Sequence, residues 1–164
     1  MTVRPLVDAD WPAIREIYRE GIESGDATFE TEVPDWPTWD ASRHPLVRLV
    51  AEDDSGVTGF AAISPTSKRP VYAGVAEVMV YVADRVRGQG IGTELMRALV
   101  DASEDAGIWT LQASIFPENV ASIRAHERVG FRVLGRRDRI ARFHDGRWMD
   151  TVVMERRSAV VGLD

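Results

Sequence analysis

The chain has 164 residues, 45% hydrophobic and 28% charged, with a formal net charge of −6 and no cysteine. That length suits one domain with a real core, no apolar run nears the roughly 18 residues of a membrane span, and the acidic balance argues against general nucleic-acid binding, which draws on clustered Lys and Arg. The lack of cysteine removes disulfides, thiolate metal sites and a thiol nucleophile, and His44, His126 and His144 lie too far apart for a metal-ligand set, so no metal is expected.

A first strand is predicted at Thr2 to Pro5. A helix follows, opened by Asp10 with Pro12 in its first turn, and Ile14, Ile17, Tyr18 and Ile22 share one face. The N-terminus meets Asp8 and Asp10 too early for the apolar core of a secretion signal, so a cytoplasmic location is expected. Asp26 to Arg43 reads as irregular or briefly helical, with Phe29, Trp36 and Trp39 marking a specificity or interface region. Strands at Leu46 to Ala51 and Val57 to Ser64 flank Asp53-Asp54-Ser55-Gly56 as a hairpin. A longer strand, Val71 to Ala83, runs into a glycine-rich turn and a helix from Gly90 to Ala106, with Ile91, Leu95, Met96, Leu99 and Val100 at helical spacing. A strand at Thr110 to Ile115, a helix at Asn119 to Val129 and strands at Phe131 to Arg139 and Trp148 to Arg156 complete a mixed α/β sheet with helices on its faces. One domain is expected over residues 1–157, with 158–164 as a C-terminal tail.

The chemistry concentrates at Val80-Tyr81-Val82-Ala83-Asp84-Arg85-Val86-Arg87-Gly88-Gln89-Gly90-Ile91-Gly92-Thr93, where an apolar strand ends in a basic, glycine-rich turn that opens a helix. Glycines take positive φ and let a ligand approach the backbone, and the first helical N–H groups point outward without internal partners, so a pyrophosphate fits. A tight strand-to-helix turn needs glycines in any case. A triphosphate loop would end in Gly-Lys-Ser or Gly-Lys-Thr, and a dinucleotide fingerprint needs a further glycine and a downstream acid; neither pattern is met.

Alternation puts Val75, Glu77, Met79 and Tyr81 on one strand face and Ala76, Val78, Val80 and Val82 on the other, which predicts a central strand buried on both sides. A carboxylate there needs a cleft, water or a cation beside it; structural pairing with an arginine, or exposure at a bulge, is the other reading of Glu77. His126 shares a helical face with Asn119, Ser122 and Ile123, as a packed residue or as one facing a ligand. Residues 120–147 hold eight arginines against three acids, either a solvated face or the surroundings of a polyphosphate.

Arg87-Gly88-Gln89-Gly90-Ile91-Gly92 resembles the (Gln/Arg)-x-x-Gly-x-(Gly/Ala) coenzyme A signature of the GNAT N-acetyltransferases. Asn119 to Phe131 resembles that superfamily's Asn-x-x-(Ala/Ser)-x-x-x-Tyr-x-x-x-Gly-Phe helix and turn. Over about residues 1–157 the chain is similar to the phosphinothricin and methionine sulfoximine N-acetyltransferase group. The marks are Thr28-Phe29-Glu30, Arg69 with Tyr72, Glu77 followed by Val80-Tyr81-Val82, His126 where many relatives have Tyr, and Gly146-Arg147-Trp148-x-Asp150. Val78 and Met79 depart from the small polar residues common after that glutamate.

The resemblance implies a mostly antiparallel sheet with a splayed central strand pair and acetyl-CoA as cosubstrate. It places pantetheine along Val80, Tyr81 and Val82, the pyrophosphate at Arg87, Gly88, Gln89, Gly90, Ile91, Gly92 and Thr93, and further cofactor contacts at Asn119 and Ser122. It also implies Glu77 as general base, His126 as acid or positioning residue, an amino-acid-like amine held by Phe29, Glu30, Arg69 and Tyr72, and a homodimer to which Trp36 or Trp39 contributes. Two other functions fit the same residues: acetylation of protein N-termini, which needs an open groove, and a coenzyme A-binding regulatory module without transfer.

Overall fold

In the computed structural model, which describes all 164 residues, the alternating and helical patterns resolve into seven strands and four helices. They are β1 (Thr2–Pro5), α1 (Trp11–Ser24), α2 (Trp36–Ser42), β2 (Arg48–Asp53), β3 (Gly56–Pro65), β4 (Val75–Val82), α3 (Ile91–Asp105), β5 (Thr110–Ile115), α4 (Val120–Arg128), β6 (Arg132–Arg142) and β7 (Trp148–Arg157). One sheet carries the order β1-β2-β3-β4-β5-β7-β6. Every neighbouring pair is antiparallel except β4 with β5 at the centre. No helix is long and apolar enough to cross a membrane.

Helices cover both faces. On one, Tyr18 of α1 packs on Phe60 and Tyr81, and Trp39 of α2 meets the edge of Phe60. On the other, α3 buries Ile91, Leu95, Met96, Leu99 and Val100, the apolar stripe its sequence spacing predicts, with α4 alongside it. Trp39 is fully buried and stacks with Trp36, so its indole belongs to this chain's own core and not to an interface.

Two local expectations change. The strand carrying Glu77 starts at Val75, because Pro70–Tyr72 form a turn of 3₁₀ helix; the proline ring favours such a turn and offers no N–H to a ladder. Asp10 does not cap α1: its carboxylate turns back onto the Arg4 guanidinium at 2.8 Å and the Val7 N–H at 2.9 Å.

Gly21, inside α1, is there for closeness. A Cβ at that position would lie 2.4 Å from the Tyr81 ring, so the absent side chain lets α1 sit against β4. In an open helix Gly→Ala stabilises by about 0.5–1 kcal/mol. Here overpacking of about 1–3 kcal/mol outweighs that gain, so Gly21→Ala is expected to lower stability in urea denaturation. A more stable variant would mean that Tyr81 has room to move.

Candidate active site

The parallel pairing of β4 with β5 covers only Val75 with Thr110, Ala76 with Leu111 and Glu77 with Gln112; beyond Glu77 the strands part. Parity then decides which backbone groups are left open. Thr66 N–H donates to Val75 C=O and Ala83 N–H to Thr58 C=O, so odd-numbered residues of β4 bond to β3. Even-numbered residues face the other way, and past the fork the N–H groups of Val80 and Val82 have no strand to pair with. An unpaired edge in the middle of a sheet calls for a ligand or water.

Two clefts open on this fork. The smaller, about 250 Å³, is lined by Tyr18, Glu30, Arg43, Ser64, Glu77 and the diverging segments Val78–Tyr81 and Ala113–Ile115 among others. The larger, about 420 Å³, runs along Val80–Val82 to Arg87, Gly88, Gly90, Ile91, Gly92 and Thr93, with Arg128 of α4 opposite. Ala27, Val80, Tyr81, Asn119, Ser122 and His126 line both, so the clefts meet at Tyr81 and the inner face of α4.

The glycine turn has the form of an anion cradle. Gly88 and Gly90 adopt φ of 80° and 84°, and Gly90 is the left-handed residue from which α3 starts, without a side-chain cap. The N–H groups of Gly88, Gln89, Gly90, Ile91 and Gly92 find no acceptor in the protein. Gly88, Gly90, Ile91 and Gly92 line the larger cleft, where the positive end of α3 adds to their open donors. Arg87 stands at its rim, more than half exposed and paired with Asp84 at 2.7 Å.

Helix α4 is set by Asn119. Its Oδ1 accepts from the Ser122 N–H at 3.1 Å as an N-cap, and its Nδ2 donates to the Asp26 carbonyl at 3.3 Å, tying the α1–α2 loop to the site. One turn on, His126 is 5% exposed. Its Nδ1 lies 2.8 Å from the Ser122 carbonyl, which can only accept; the proton therefore sits on Nδ1, and Nε2 presents a lone pair. Nε2 is buried and has no partner in the protein. Burial pushes the imidazole below its ordinary 6.5, against the opposing pull of the Ser122 carbonyl. Burial likewise pushes the Tyr81 phenol up, so it is neutral and a donor.

Residues 11–131 match the acetyltransferase (GNAT) family. The chain belongs to that family. It is 36% identical to a phosphinothricin N-acetyltransferase of Alcaligenes faecalis, covering 94% of this chain and 81% of that protein. It is 30% identical to an L-methionine sulfoximine/L-methionine sulfone acetyltransferase of Pseudomonas paraeruginosa, covering 94% and 92%. Among solved structures, a GNAT superfamily phosphinothricin acetyltransferase of Sinorhizobium meliloti in complex with AcCoA superposes with a TM-score of 0.88 at 31% identity, covering 99% of this chain and 91% of that one.

Of the residues singled out in the sequence, the fork gathers Glu77, Val80, Tyr81, Val82, Asn119, Ser122 and His126, with Glu30 at the mouth and the Arg87–Thr93 turn beyond. Within that turn, Gln89 is exposed and lines neither cleft. Glu77 is not the buried carboxylate that strand alternation predicts: the parting of β4 from β5 leaves it exposed in the smaller cleft. Phe29 packs edge-on against Phe116 at 4.8 Å and lines neither cleft. Arg69 lies over the Tyr72 ring at 5.7 Å on an exposed turn, and Tyr72 borders a separate surface hollow. Of the eight arginines in 120–147 only Arg128 lines a cleft; Arg132 and Arg136 pair with Glu155 and Asp150 on the sheet surface. Arg43, which no sequence motif marks, lines the smaller cleft.

His126 gives a test by pH. The folded state holds its pKa below the unfolded value of 6.5, so between those two values the unfolded chain binds more protons and stability falls as pH falls. Above about 7 the term vanishes. Urea denaturation from pH 7.5 to 5.5 should show that loss, at no more than about 1.4 kcal/mol per pH unit from this group, and His126→Gln should flatten it. His44 is shifted the same way and remains in the variant, so an unchanged pH profile would show that His126 titrates as an exposed imidazole.

Proposed function

We propose that the protein transfers the acetyl group of acetyl-CoA to the primary amine of a small amino-acid-like acceptor, of the phosphinothricin or methionine sulfoximine type, by direct attack with Glu77 as general base. The observation that carries this reading is the meeting of the two clefts: a carboxylate stands in one, a backbone anion cradle closes the other, and the open edge of β4 joins them.

The residues fit acetyl-CoA. The cradle from Gly88 to Gly92 suits its pyrophosphate, and the unpaired edge at Val80 and Val82 suits the amides of the pantetheine arm. Glu77, directly or through water, takes the proton from the acceptor ammonium, and the freed amine attacks the thioester carbonyl. The C–N bond forms, the C–S bond breaks, and an open β4 N–H such as that of Val80 stabilises the oxyanion. His126 starts with Nε2 unprotonated, so it supplies a proton to the departing thiolate only after taking one up during the attack. The edge strand β6, with Val133, Leu134 and Ile140 exposed and Trp148 exposed beside it, is the surface we assign to a homodimer.

Two variants test the two halves. Glu77→Gln is expected to lower turnover about 10²- to 10⁴-fold near neutral pH with acetyl-CoA affinity retained; turnover within a few-fold of wild type would remove Glu77 from the reaction. Gly90→Val forces a β-branched residue to φ 84° and should weaken calorimetric acetyl-CoA binding more than Arg87→Ala does. Equal affinity in a folded Gly90→Val protein would place the pyrophosphate elsewhere.

A further inference from the structure

We infer that Arg43 is the anion-binding group of the acceptor cleft, and that it holds the carboxylate of an α-amino acid whose ammonium lies at Glu77. The inference rests on the transfer reading above and deepens it by fixing which feature of the acceptor is recognised.

Four arginines are half-buried: Arg4, Arg43, Arg48 and Arg156. Three are neutralised inside the fold, Arg4 by Asp10 and Glu52, Arg48 by Asp40, and Arg156 by Glu104. Arg43 forms no ion pair. Its one hydrogen bond runs from Nη1 to the neutral Ser64 Oγ at 2.5 Å, and its Nε is sealed from solvent with no acceptor. A guanidinium stays charged under all ordinary conditions, so the fold holds a desolvated positive charge without a counter-charge in contact. Such a cost marks a site where a ligand brings the missing anion.

The location selects which anion. Arg43 is the only Lys or Arg lining this cleft. Its guanidinium is held over the Trp39 ring, 5.4 Å from the centroid, which limits the directions it can take. Ser64, to which it is bonded, is the cross-strand partner of Glu77. Directly paired side chains stand roughly 4.5–5.5 Å apart at Cβ, so cation and carboxylate are neighbours on one face of the sheet. An α-amino acid carries its ammonium and carboxylate on the same carbon and needs a carboxylate and a cation placed side by side. Ser64, bonded to Arg43 and paired with Glu77 across the strands, links the two. Arg69, the cation that the sequence resemblance favours for this task, is exposed and lies outside the cleft lining.

The test varies both protein and ligand. Steady-state kinetics are measured with methionine sulfoximine, its methyl ester and its decarboxylated amine, on wild type, Arg43→Lys, Arg43→Met and Arg69→Met. Calorimetry of methionine sulfoximine binding to the CoA-saturated proteins reads the anion site without turnover. Arg43→Met is expected to raise the KM for the free acid about 10- to 100-fold, the range for a lost hydrogen bond to a charged group, and to leave the KM for acetyl-CoA and for the decarboxylated amine unchanged. Arg43→Lys should fall between, since an ammonium keeps the charge and loses the fork. The wild type alone should prefer the acid to its ester, a comparison independent of how the variants fold. Loss of acid preference in Arg69→Met with its retention in both Arg43 variants would overturn the inference, as would equal use of acid, ester and amine by the wild type; acetyl transfer itself would survive either result. If the wild type binds methionine sulfoximine through Arg43 yet transfers nothing to any amine, the transfer reading fails and the anion site stands.

Discussion

Backbone N–H and C=O groups inside a sheet are normally satisfied by the next strand, and the edges that lack one lie at its margins. Here an edge opens at the centre, because β4 and β5 run parallel for three residue pairs and then diverge. Both strands continue for several residues after the parting, held from outside by β3 and β7. The outer ladders keep the fork rigid, so the open β4 edge is a fixed row of donors and acceptors that a ligand amide can complete. Every other feature of the site takes its position from that divergence: Glu77 stands at its vertex, the glycine turn follows the free end of β4, and α4 follows the free end of β5.

The two sides of the fork differ in electrostatics. In the larger cleft, proposed for the cofactor, positive character comes almost wholly from backbone amides and the start of α3, with Arg87 and Arg128 at the rim. In the smaller cleft, proposed for the acceptor, the charges are side chains: Arg43 against Glu30 and Glu77. Backbone donors suit a ligand that is the same in every turnover. Side-chain charges discriminate among acceptors, since an amine lacking the right second group leaves one of them unpaired in a partly dry cleft. His126 stands where the two meet, neutral and with a bare lone pair.

Much of this was legible in the sequence. Helix α3, strand β5, the β2–β3 hairpin and the glycine turn before α3 follow from spacing, glycines and turn residues, because local rules govern them. The environment of Glu77 was not legible: alternation reports which face a residue takes, and the exposure comes from a strand parting that no local pattern encodes. Arg43 was missed for a related reason. It lies in the short connection between α2 and β2, and its significance is the absence of a partner, which only the packed fold reveals. The one local hint was Trp39 four residues earlier, the ring its guanidinium covers. Gly21 would read as a weak point in a helix until the Tyr81 ring is seen against it.

The proposed reaction requires the cofactor to lie along the open edge of β4. Amide hydrogen exchange, resolved residue by residue by NMR, tests this directly on the free protein and after saturation with coenzyme A. The Val80 and Val82 amides, together with those of Gly88 to Gly92, should exchange readily in the free protein and become protected on binding, while the amides of Met79 and Tyr81, already paired to β3, change little. Protection appearing elsewhere, with Val80 and Val82 unaffected, would contradict the claim that the fork is the cofactor's seat.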